Sequence, residues 1–495
     1  MNKLLKLFFV FFVFLYSVTA FSATVNVLEF NDFHGSLRAK DKNVGMAKLV
    51  SAIKEEEKKN PDTIVVSGGD NYQGSALSNL TFGAPVSQMM KMAGVIASSV
   101  GNYEFDWGIQ HFRPWEKDGH FVFLAANVFN KQTGKPVKWA KPYIIVKIHG
   151  IKIAFIGLST ITTPYVTLHS HVANLDFEDA SQAAQQWIDY LKAGKAPQGK
   201  PDVIIALTHI PSAQDFKTHR ITGKELKHLC RDTKGLDAVI SAHSHRFVNG
   251  YVNKIPVIQA ASHGRALGEL RIIIDDKNNK VQKIIPDVWW LDADSLHPDS
   301  KALSVYNKYE KKLAPLMNKV IGKATGEFER ISDQGLSVFG KWTCDTLRQQ
   351  AHVQIVIQNG GLLRRNLHKG SVTIGDMYEI IPFDNSLVKM QLLGGDIKKI
   401  VAPDVINTNI SSVQYSGLDI QYDKKAKITS ITLSDGSPLK MNKYYSVAVN
   451  SFMYEGGDGY DFKNAKDVVD TYIPIRDILI KVIKEKKVIT PTPVI

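Results

Sequence analysis

The first half of the chain alternates between short, mostly apolar runs and longer amphipathic stretches. The stretches at 45–59 and 180–191 carry apolar residues at helical spacing. Apolar runs separated by such helices predict strands of a parallel or mixed sheet that is buried on both faces. The pattern therefore predicts an α/β fold. The apolar runs lie at residues 25–30, 62–67, 203–208 and 236–242.

Each of these runs ends in residues that commonly bind metal ions. In open α/β sheets, sites gather outside the carboxyl ends of the strands, so these side chains are expected to converge. A single histidine of this kind is more often a packed or surface residue, but six ligand-type residues at four strand ends are hard to obtain by accident. They are Asp32, His34, Asp70, His209, His243 and His245, and Asn102 follows a further short apolar stretch.

This set of side chains predicts a particular chemistry. Carboxylate, amide and imidazole groups together suit borderline divalent ions such as Zn, Mn or Fe. One carboxylate can bridge two ions that lie about 3.5–4 Å apart, as in two-metal phosphatases. Asp70 follows Gly68-Gly69, where backbone would crowd a larger residue, so it is the candidate bridge. Two such ions activate water near neutral pH and neutralise a phosphoryl group.

The N-terminus has the pattern of a secretory signal peptide. Lys3 and Lys6 precede an apolar run at 7–16, and cleavage is predicted after Ala20 or Ala23. Residues 1–20 are therefore assigned to the signal peptide. An uncleaved anchor is the alternative, but the run is short for a span of about 20 residues. We expect a periplasmic or secreted protein with no stable membrane association after cleavage.

Composition adds little to this picture. The 495 residues predict two or three domains. The net charge of +13 favours anionic substrates through electrostatic steering, although a generally basic surface explains it equally well. The sequence has no basic stripe interleaved with aromatic residues, so we do not expect the protein to bind a nucleic acid polymer. The two cysteines, Cys230 and Cys344, have neither zinc-motif nor nucleophile spacing and are expected to be separate thiols.

The second half of the chain predicts a smaller domain. We assign residues 24–300 to a first domain, 301–324 to a helical linker and 325–490 to the second domain. Strand-like segments in the second domain alternate with three loops rich in glycine and polar residues. These loops are Asn359-Gly360-Gly361, Pro382-Phe383-Asp384-Asn385 and Gly456-Gly457-Asp458-Gly459.

Several blocks of the chain resemble two known domain families. In the first half, the blocks are similar to those of calcineurin-like metallophosphoesterases, in the same order. In the second half, they are similar to the C-terminal domain of the 5′-nucleotidase family. The resemblance implies a four-layer αββα catalytic domain and a smaller α/β substrate-binding domain. The blocks are Asp32-Phe33-His34, Gly68-Gly69-Asp70, Gly101-Asn102, Thr208-His209, Ala242-His243-Ser244-His245, Asn359-Gly360-Gly361-Leu362-Leu363-Arg364, Ile381-Pro382-Phe383 and Phe452-Met453-Tyr454-Glu455-Gly456-Gly457-Asp458-Gly459-Tyr460.

The resemblance also implies a role for each site residue. Two divalent ions, Zn, Mn or similar, would share Asp70. One ion would take Asp32, His34, Asp70 and His245, and the other would take Asp70, Asn102, His209 and His243. Phe383 and Phe452 would sandwich a nucleobase, although core packing is the alternative role for these rings. Asn359, Gly361 and Asp458 would contact the nucleoside, and Arg364 would hold phosphate.

One position departs from the family pattern. Tyr103 stands where the family has a histidine that pairs with an acid, here Asp106. Tyrosine donates a hydrogen bond but stays neutral at pH 7. We therefore expect a slower enzyme or a changed substrate, with Asn102 and Asp106 in the catalytic site and the role of Tyr103 in doubt.

The function that the resemblance implies is removal of phosphate from nucleotides, outside the cytoplasm, by metal-activated water. The family also includes 2′,3′-cyclic-nucleotide phosphodiesterases and UDP-sugar hydrolases, which are the alternatives. A further alternative is a nucleotide-binding protein whose turnover is weakened because Tyr103 replaces the family histidine. Since metals and stacking residues are predicted on different domains, domain closure is expected to bring them together.

Overall fold

The structure is a computed structural model that describes residues 23–40, 42–275, 277–332, 335–402, 413–422 and 428–492. The predicted signal peptide at 1–20 lies outside the described residues. Within the described ranges, each helix is too short or too polar to span a lipid bilayer.

The first half consists mainly of strands joined by helices. The strands are β1 (Ala23–Phe30), β2 (Thr63–Ser67), β3 (Val95–Ser99), β4 (Val122–Leu124), β5 (Val128–Asn130), β6 (Lys135–Pro136), β7 (Tyr143–Ile148), β8 (Ile151–Ser159), β9 (Leu175–Phe177), β10 (Val203–Pro211), β11 (Ala213–Gln214), β12 (Ile221–Thr222), β13 (Ala238–Ala242), β14 (Phe247–Val252), β15 (Ile255–Ala260), β16 (Ala266–Asp275) and β17 (Lys280–Trp290). The helices are α1 (Gly45–Lys59), α2 (Ala76–Asn79), α3 (Ala84–Met92), α4 (Phe112–Gly119), α5 (Thr163–Val166), α6 (His169–Val172), α7 (Ala180–Lys192), α8 (Lys224–Asp232) and α9 (Ser300–Met317).

Two six-stranded sheets of the described chain carry the site. The first has the order β17-β16-β1-β2-β3-β4 and the second has the order β14-β15-β13-β10-β8-β7. The neighbours β1, β2, β3 and β4 are parallel, and so are β8, β10, β13 and β15. Antiparallel pairs add β16 and β17 to one sheet and β7 and β14 to the other. Both sheets are therefore mixed, as the apolar runs predict.

Four layers result from the burial of both faces of each sheet. Strand β10 shows the pattern, because Ile205 lies in the apolar core between the sheets whereas Ile204 lies in a second core under α7 and α8. On the outer face of the first sheet, Leu28 of β1 packs with Leu49 of α1 and Met89 of α3. The expected αββα arrangement is confirmed.

The second half forms a smaller α/β unit. Its strands are β18 (Val320–Ala324), β19 (Ile355–Gln358), β20 (Gly370–Thr373), β21 (Ser386–Leu393), β22 (Gln414–Ser416), β23 (Leu418–Tyr422), β24 (Ile428–Leu433), β25 (Tyr444–Asn450), β26 (Lys466–Pro474) and β27 (Val488–Ile489). Its helices are α10 (Val338–Ala351), α11 (Ile374–Ile380), α12 (Gly394–Ile400), α13 (Ser451–Tyr454) and α14 (Ile475–Lys486). A sheet of order β22-β19-β25-β21-β26 has an apolar core on each face, one with α10 and α14 and one with α12.

Helix α9 lies in the region predicted to link the two units. Its residues Val305, Tyr309 and Leu313 pack against the core that contains α1 and α3. Cys230 and Cys344 are free and buried in separate apolar cores, as expected for two separate thiols.

Candidate active site

The predicted metal-ligand residues lie at the carboxyl ends of five strands. In the first sheet, parallel pairing aligns the ends of β1 and β2. In the second sheet, parallel pairing aligns the ends of β10 and β13. Five of these residues have left-handed backbone conformations, which are costly for residues other than glycine and which cluster at functional sites. They are Asp32 (φ 49°), His34 (φ 49°), Asp70 (φ 52°), His243 (φ 68°) and His245 (φ 56°).

Asp32, His34 and His245 form the first of two groups of ligand atoms. Within this group the atoms lie within 4.8 Å of one another. The two histidines face each other with their Nε2 atoms 3.0 Å apart, and Asp32 Oδ1 is 3.4 Å from His245 Nε2. This buried oxygen has no hydrogen-bond partner within the described part of the chain. An unpaired buried carboxylate oxygen between two imidazoles fits a divalent cation.

Asp70, His209 and His243 form the second group. His209 Nε2 lies 3.1 Å from Asp70 Oδ2 and 3.2 Å from His243 Nδ1. Asn102 Oδ1 is 3.0 Å from His243 Nδ1. Asp70 also lies 4.0 Å from His34 Nε2 of the first group, so its carboxylate stands between the two groups.

Tight backbone packing holds the Asp70 carboxylate in this place. A Cβ atom on Gly101 would lie 2.1 Å from Asp70 Oδ1, and one on Gly69 would lie 2.8 Å from the backbone nitrogen of Gly101. Both positions therefore require glycine. The Gly68-Gly69 pair before Asp70 reflects this close approach.

Hydrogen bonds orient the imidazoles toward the site. His34 Nδ1 donates to the carbonyl oxygen of Gln73 over 3.0 Å, and His209 Nδ1 donates to that of Gly68 over 2.8 Å. Each bond leaves Nε2 facing the ligand group, as is usual for metal-binding histidines.

The protonation of the histidines follows from burial and neighbouring charge. Burial, reinforced by a neighbouring histidine, lowers the pKa of His34 and of His243 to about 4. Burial also lowers the pKa of His209, but Asp70 outweighs it and raises the pKa to about 10. His34 and His243 thus present neutral imidazoles, the metal-binding form, at pH 7. Metal binding at His209 requires loss of the proton that it shares with Asp70.

Two residues outside the predicted set support this centre. The buried carboxylate of Glu104 accepts hydrogen bonds from the backbone N–H groups of Asp70, Asn71 and Gly101, at 2.8, 2.7 and 2.7 Å. Burial, followed by the charge of Asp70, raises the pKa of Glu104 to about 7. The ring of His263 is 5.3 Å from that of His34, and its backbone N–H donates to the carbonyl oxygen of Asp32.

Tyr103 lies between the ligand groups and the second half of the chain. Its backbone N–H donates to Asp70 Oδ1 over 2.9 Å. Its ring centroid is 5.0 Å from that of His34 and 6.0 Å from that of Phe383, to which it is nearly parallel. Burial raises the pKa of Tyr103 to about 12. Asp106, whose pKa burial also raises, accepts a hydrogen bond from Thr167 Oγ1 at 3.2 Å.

One large cavity joins the metal-ligand groups to the second half of the chain. Its volume is about 1170 Å³. Asp32, His34 and His209 lie behind its wall, in the buried part of the site. The predicted residues that line it are Asp70, Asn102, Tyr103, Asp106, His243 and His245 from the first half and Asn359, Gly361, Arg364, Phe383, Phe452 and Asp458 from the second.

The residues from the second half are themselves connected. Asn359 Nδ2 donates to Asp458 Oδ2 over 2.9 Å, and Asn450 Nδ2 donates to Asn359 Oδ1 over 2.9 Å. The guanidinium carbon of Arg364 lies 5.8 Å from the ring centroid of Phe383. The rings of Phe383 and Phe452 are half-buried and border the cavity. Polar groups and aromatic faces thus surround the same space.

Comparison with known protein families agrees with this two-part site. Residues 25–247 match the model of the calcineurin-like phosphoesterases, and residues 320–465 match that of the 5′-nucleotidase C-terminal domain. The chain belongs to the 5′-nucleotidase family. Its two matched domains make it a metal-dependent phosphoester hydrolase, because the calcineurin-like phosphoesterases use divalent metals.

Relatives of the chain are identical to it at about a quarter of the aligned positions. Endonuclease YhcR of Bacillus subtilis is 28% identical over 87% of the chain, which spans only 37% of YhcR. A 5′-nucleotidase of Diplobatis ommata is 26% identical over 94% of the chain and 88% of its own length. The 5′-nucleotidase precursor of Thermus thermophilus has the same fold, with a TM-score of 0.79 over 95% of the chain and 98% of its own length, at 23% identity.

Proposed function

We propose that this protein removes phosphate from nucleotides, with two divalent ions and with water as the nucleophile. The observation that carries the proposal is the cavity that is lined both by metal-ligand side chains and by the aromatic and polar residues of the second half. Relatives named 5′-nucleotidase support the choice of a nucleotide.

The two ligand groups support the predicted division of the metal ligands. Zn²⁺ and Mn²⁺ both suit a mixture of carboxylate, amide and imidazole donors. Ions bound there would lower the pKa of water and neutralise negative charge on the phosphoryl group. We assign Asp32, His34, Asp70 and His245 to one ion and Asp70, Asn102, His209 and His243 to the other, with Asp70 shared.

The second half of the cavity supplies the contacts for the nucleoside. Phe383 and Phe452 stack on the base, and such stacking is tolerant of base identity. Asn359 fixes the orientation of Asp458, so the two side chains together accept and donate hydrogen bonds to the nucleoside. Gly361 lies in the same loop. Arg364, beside Phe383, holds phosphate as a charge-assisted fork.

Tyr103 and Asp106 complete the proposed catalytic site. Because burial keeps the Tyr103 hydroxyl protonated at neutral pH, it donates a hydrogen bond to the phosphoryl group or leaving oxygen but supplies no positive charge. Asp106 bonds to Thr167, in place of the imidazole with which the family pattern pairs it. We expect slow turnover or a changed substrate as the consequence. Asn102 orients His243 from the neighbouring loop.

We also propose that the protein acts outside the cytoplasm, in the periplasm or after secretion. The support is the signal-peptide pattern of residues 1–20. The domain limits remain as proposed from the sequence, with a catalytic domain at 24–300, a linker at 301–324 and a substrate domain at 325–490.

Release of phosphate from AMP tests the central proposal. The purified full chain should release phosphate in the presence of Mn²⁺ or Zn²⁺, and a chelator should abolish the release. Asp70→Asn should abolish it as well, because the shared carboxylate is lost. Asp62→Asn is the matched control, since this partly exposed carboxylate bonds to His149 near the opposite end of β2. Persistent release with the chelator or in Asp70→Asn contradicts the mechanism.

A panel of substrates tests the alternatives that Tyr103 keeps open. Faster hydrolysis of 2′,3′-cyclic AMP or of UDP-glucose than of AMP would assign the site to phosphodiester or diphosphate cleavage. Metal-dependent binding of AMP without any product would instead indicate a nucleotide-binding protein that has lost turnover.

A further inference from the structure

Arg476 is a buried cation that the function proposed above leaves without a role. It lies in the first turn of α14 and is only 3% exposed. It stands behind residues 381–385, which join α11 to β21 and which we call the Phe383 loop, and it is outside the set of residues that line the cavity. A buried charge is costly unless it is paired and hydrogen-bonded, so the contacts of Arg476 indicate its role.

The hydrogen bonds of the Arg476 guanidinium end on the Phe383 loop. Nη1 donates to the carbonyl oxygens of Ile381 and Phe383 over 3.1 and 3.2 Å, and Nη2 donates to Asp384 Oδ1. The guanidinium carbon also lies 3.8 Å from the ring centroid of Tyr378 in α11, which is a cation–π contact. Arg476 therefore connects α14 both to the loop and to the helix that precedes it.

The Phe383 loop lies between a helix and a strand, so groups from elsewhere in the chain satisfy its backbone. The carbonyl oxygen of Pro382 accepts a hydrogen bond from Asn79 Nδ2 of the first half over 2.8 Å, and that of Asn385 accepts one from the N–H of Ile475 over 2.9 Å. Loss of Arg476 would remove the donors of two further carbonyl oxygens. Because an unpaired buried carbonyl group costs free energy, the loop would then shift toward water.

The two proposed base-stacking rings differ in what fixes their positions. Phe452 packs against the apolar core that contains α12. The Phe383 ring is half-buried and faces the ring of Tyr103 at 6.0 Å and the guanidinium carbon of Arg364 at 5.8 Å. Core packing thus supports one ring, whereas the other depends on the backbone of its loop.

We propose that Arg476 is a positioning residue that holds the Phe383 loop, and with it one wall of the base site, in the conformation that binds a nucleotide. This inference rests on the proposed function, since it takes the Phe383 ring as a base-stacking group. Arg476 touches neither the base nor the phosphate. It acts through the loop, so its loss should weaken binding of the nucleoside and leave the metal centre unchanged.

Kinetics of AMP hydrolysis by the full chain with Mn²⁺ test this role. Arg476→Met removes the guanidinium but keeps much of the length of the side chain. It should raise KM for AMP about tenfold, within the range expected when a base loses its stacking partner, and should leave kcat within about twofold. The inhibition constant of adenosine, the product without phosphate, should rise by the same factor. That of inorganic phosphate, which probes the metal centre, should stay within about twofold.

Two further variants separate positioning from stability and from charge. Tyr378→Leu removes the ring under the guanidinium but leaves the hydrogen bonds, so KM for AMP should rise about threefold. Arg476→Lys keeps the charge but loses the planar fork, so its KM should lie between those of the unmodified chain and Arg476→Met. Lys481→Met is the matched control, because Lys481 is exposed on the same helix, and it should change none of these constants.

An unchanged KM for AMP and an unchanged inhibition constant for adenosine in Arg476→Met overturn the positioning role. The same result in Tyr378→Leu overturns it if Arg476→Met does not fold. Equal rises for adenosine and phosphate also overturn it, since the damage is then general, and full recovery in Arg476→Lys would assign the effect to charge alone. In all these cases the unmodified chain still hydrolyses AMP, so the proposed function stands. Absence of phosphate release by the unmodified chain overturns the proposed function and this inference with it.

Discussion

Tyr103 is the residue at which the proposed metal ligands meet the proposed nucleotide cavity. Its backbone bonds to Asp70, and its ring lies close to both His34 and Phe383. A single side chain thus touches the proposed metal site and the proposed base-stacking residue. The exchange of histidine for tyrosine is visible in the sequence, but this double contact is not, because it depends on how the two halves of the chain are placed.

We expect Tyr103→His to increase kcat for AMP by tenfold or more. A positioned acid–base group typically contributes about 10²–10⁴ in rate, and the buried Asp106 nearby can stabilise the imidazolium. Tyr103→Phe is the control, since it removes the hydroxyl without adding a cation and should lower kcat. No gain in Tyr103→His would mean that the tyrosine serves a different chemistry.

Glu104 is expected to position the catalytic loops through its three backbone hydrogen bonds. Glu104→Gln turns an NH₂ group toward backbone donors, which should cost about 1–3 kcal/mol in the free energy of unfolding of the metal-free protein. Because the Asp70 and Gly101 loops then separate, activity should fall more than tenfold. Denaturant unfolding and AMP hydrolysis measure the two effects. Glu55→Gln is the control, because it makes the same exchange at an exposed helix position, and it should change neither the free energy of unfolding nor AMP hydrolysis. Unaltered activity in Glu104→Gln would contradict the positioning role.

At the scale of elements, the strand ends explain why so much of the site is predictable. Each apolar run in the sequence ends within a few residues of a ligand-type side chain, and parallel pairing brings those ends to one edge. A residue outside this rule is not predictable in the same way. His263 comes from the turn between β15 and β16 and has no local sequence pattern, since only tertiary contacts place its ring beside His34.

The same arrangement predicts that metal binding stabilises the first domain. The ligands come from strands of both sheets, so bound ions tie the two sheets together. Ligand at a hundredfold excess over its Kd adds about 2.7 kcal/mol, which corresponds to a rise in Tm of roughly 5 °C for a domain of this size. Calorimetry with and without Mn²⁺ should show this rise in the unmodified chain and in Asp62→Asn. A rise of equal size in Asp70→Asn would argue against the assigned ligands.

At the scale of the whole molecule, polar contacts join the two halves at several points. Besides the bond from Asn79 to Pro382, Ser170 of α6 contacts Glu455, and Lys40 lies 3.7 Å from Glu379. The proposed substrate residues of the second half could be predicted only through family resemblance, because Phe383 and Phe452 have no pattern that separates them from core residues. Their approach to the metal-ligand groups depends on this interface.

Glu455 offers a way to weaken the interface without touching the cavity. Its carboxylate accepts the backbone N–H of Ser170 at 2.8 Å and the Ser170 hydroxyl at 3.1 Å. If closure of the halves holds the nucleotide against the metals, Glu455→Ala should raise KM for AMP about three- to tenfold, the equivalent of one or two exposed hydrogen bonds. The kcat should stay constant or rise, since opening releases product.

Glu455→Gln, whose amide oxygen still accepts one bond, should give an intermediate KM, and Glu485→Ala on the exposed side of α14 should have no effect. A fall in kcat at constant KM would instead place Glu455 in the chemistry itself and would remove the interface from the explanation of binding.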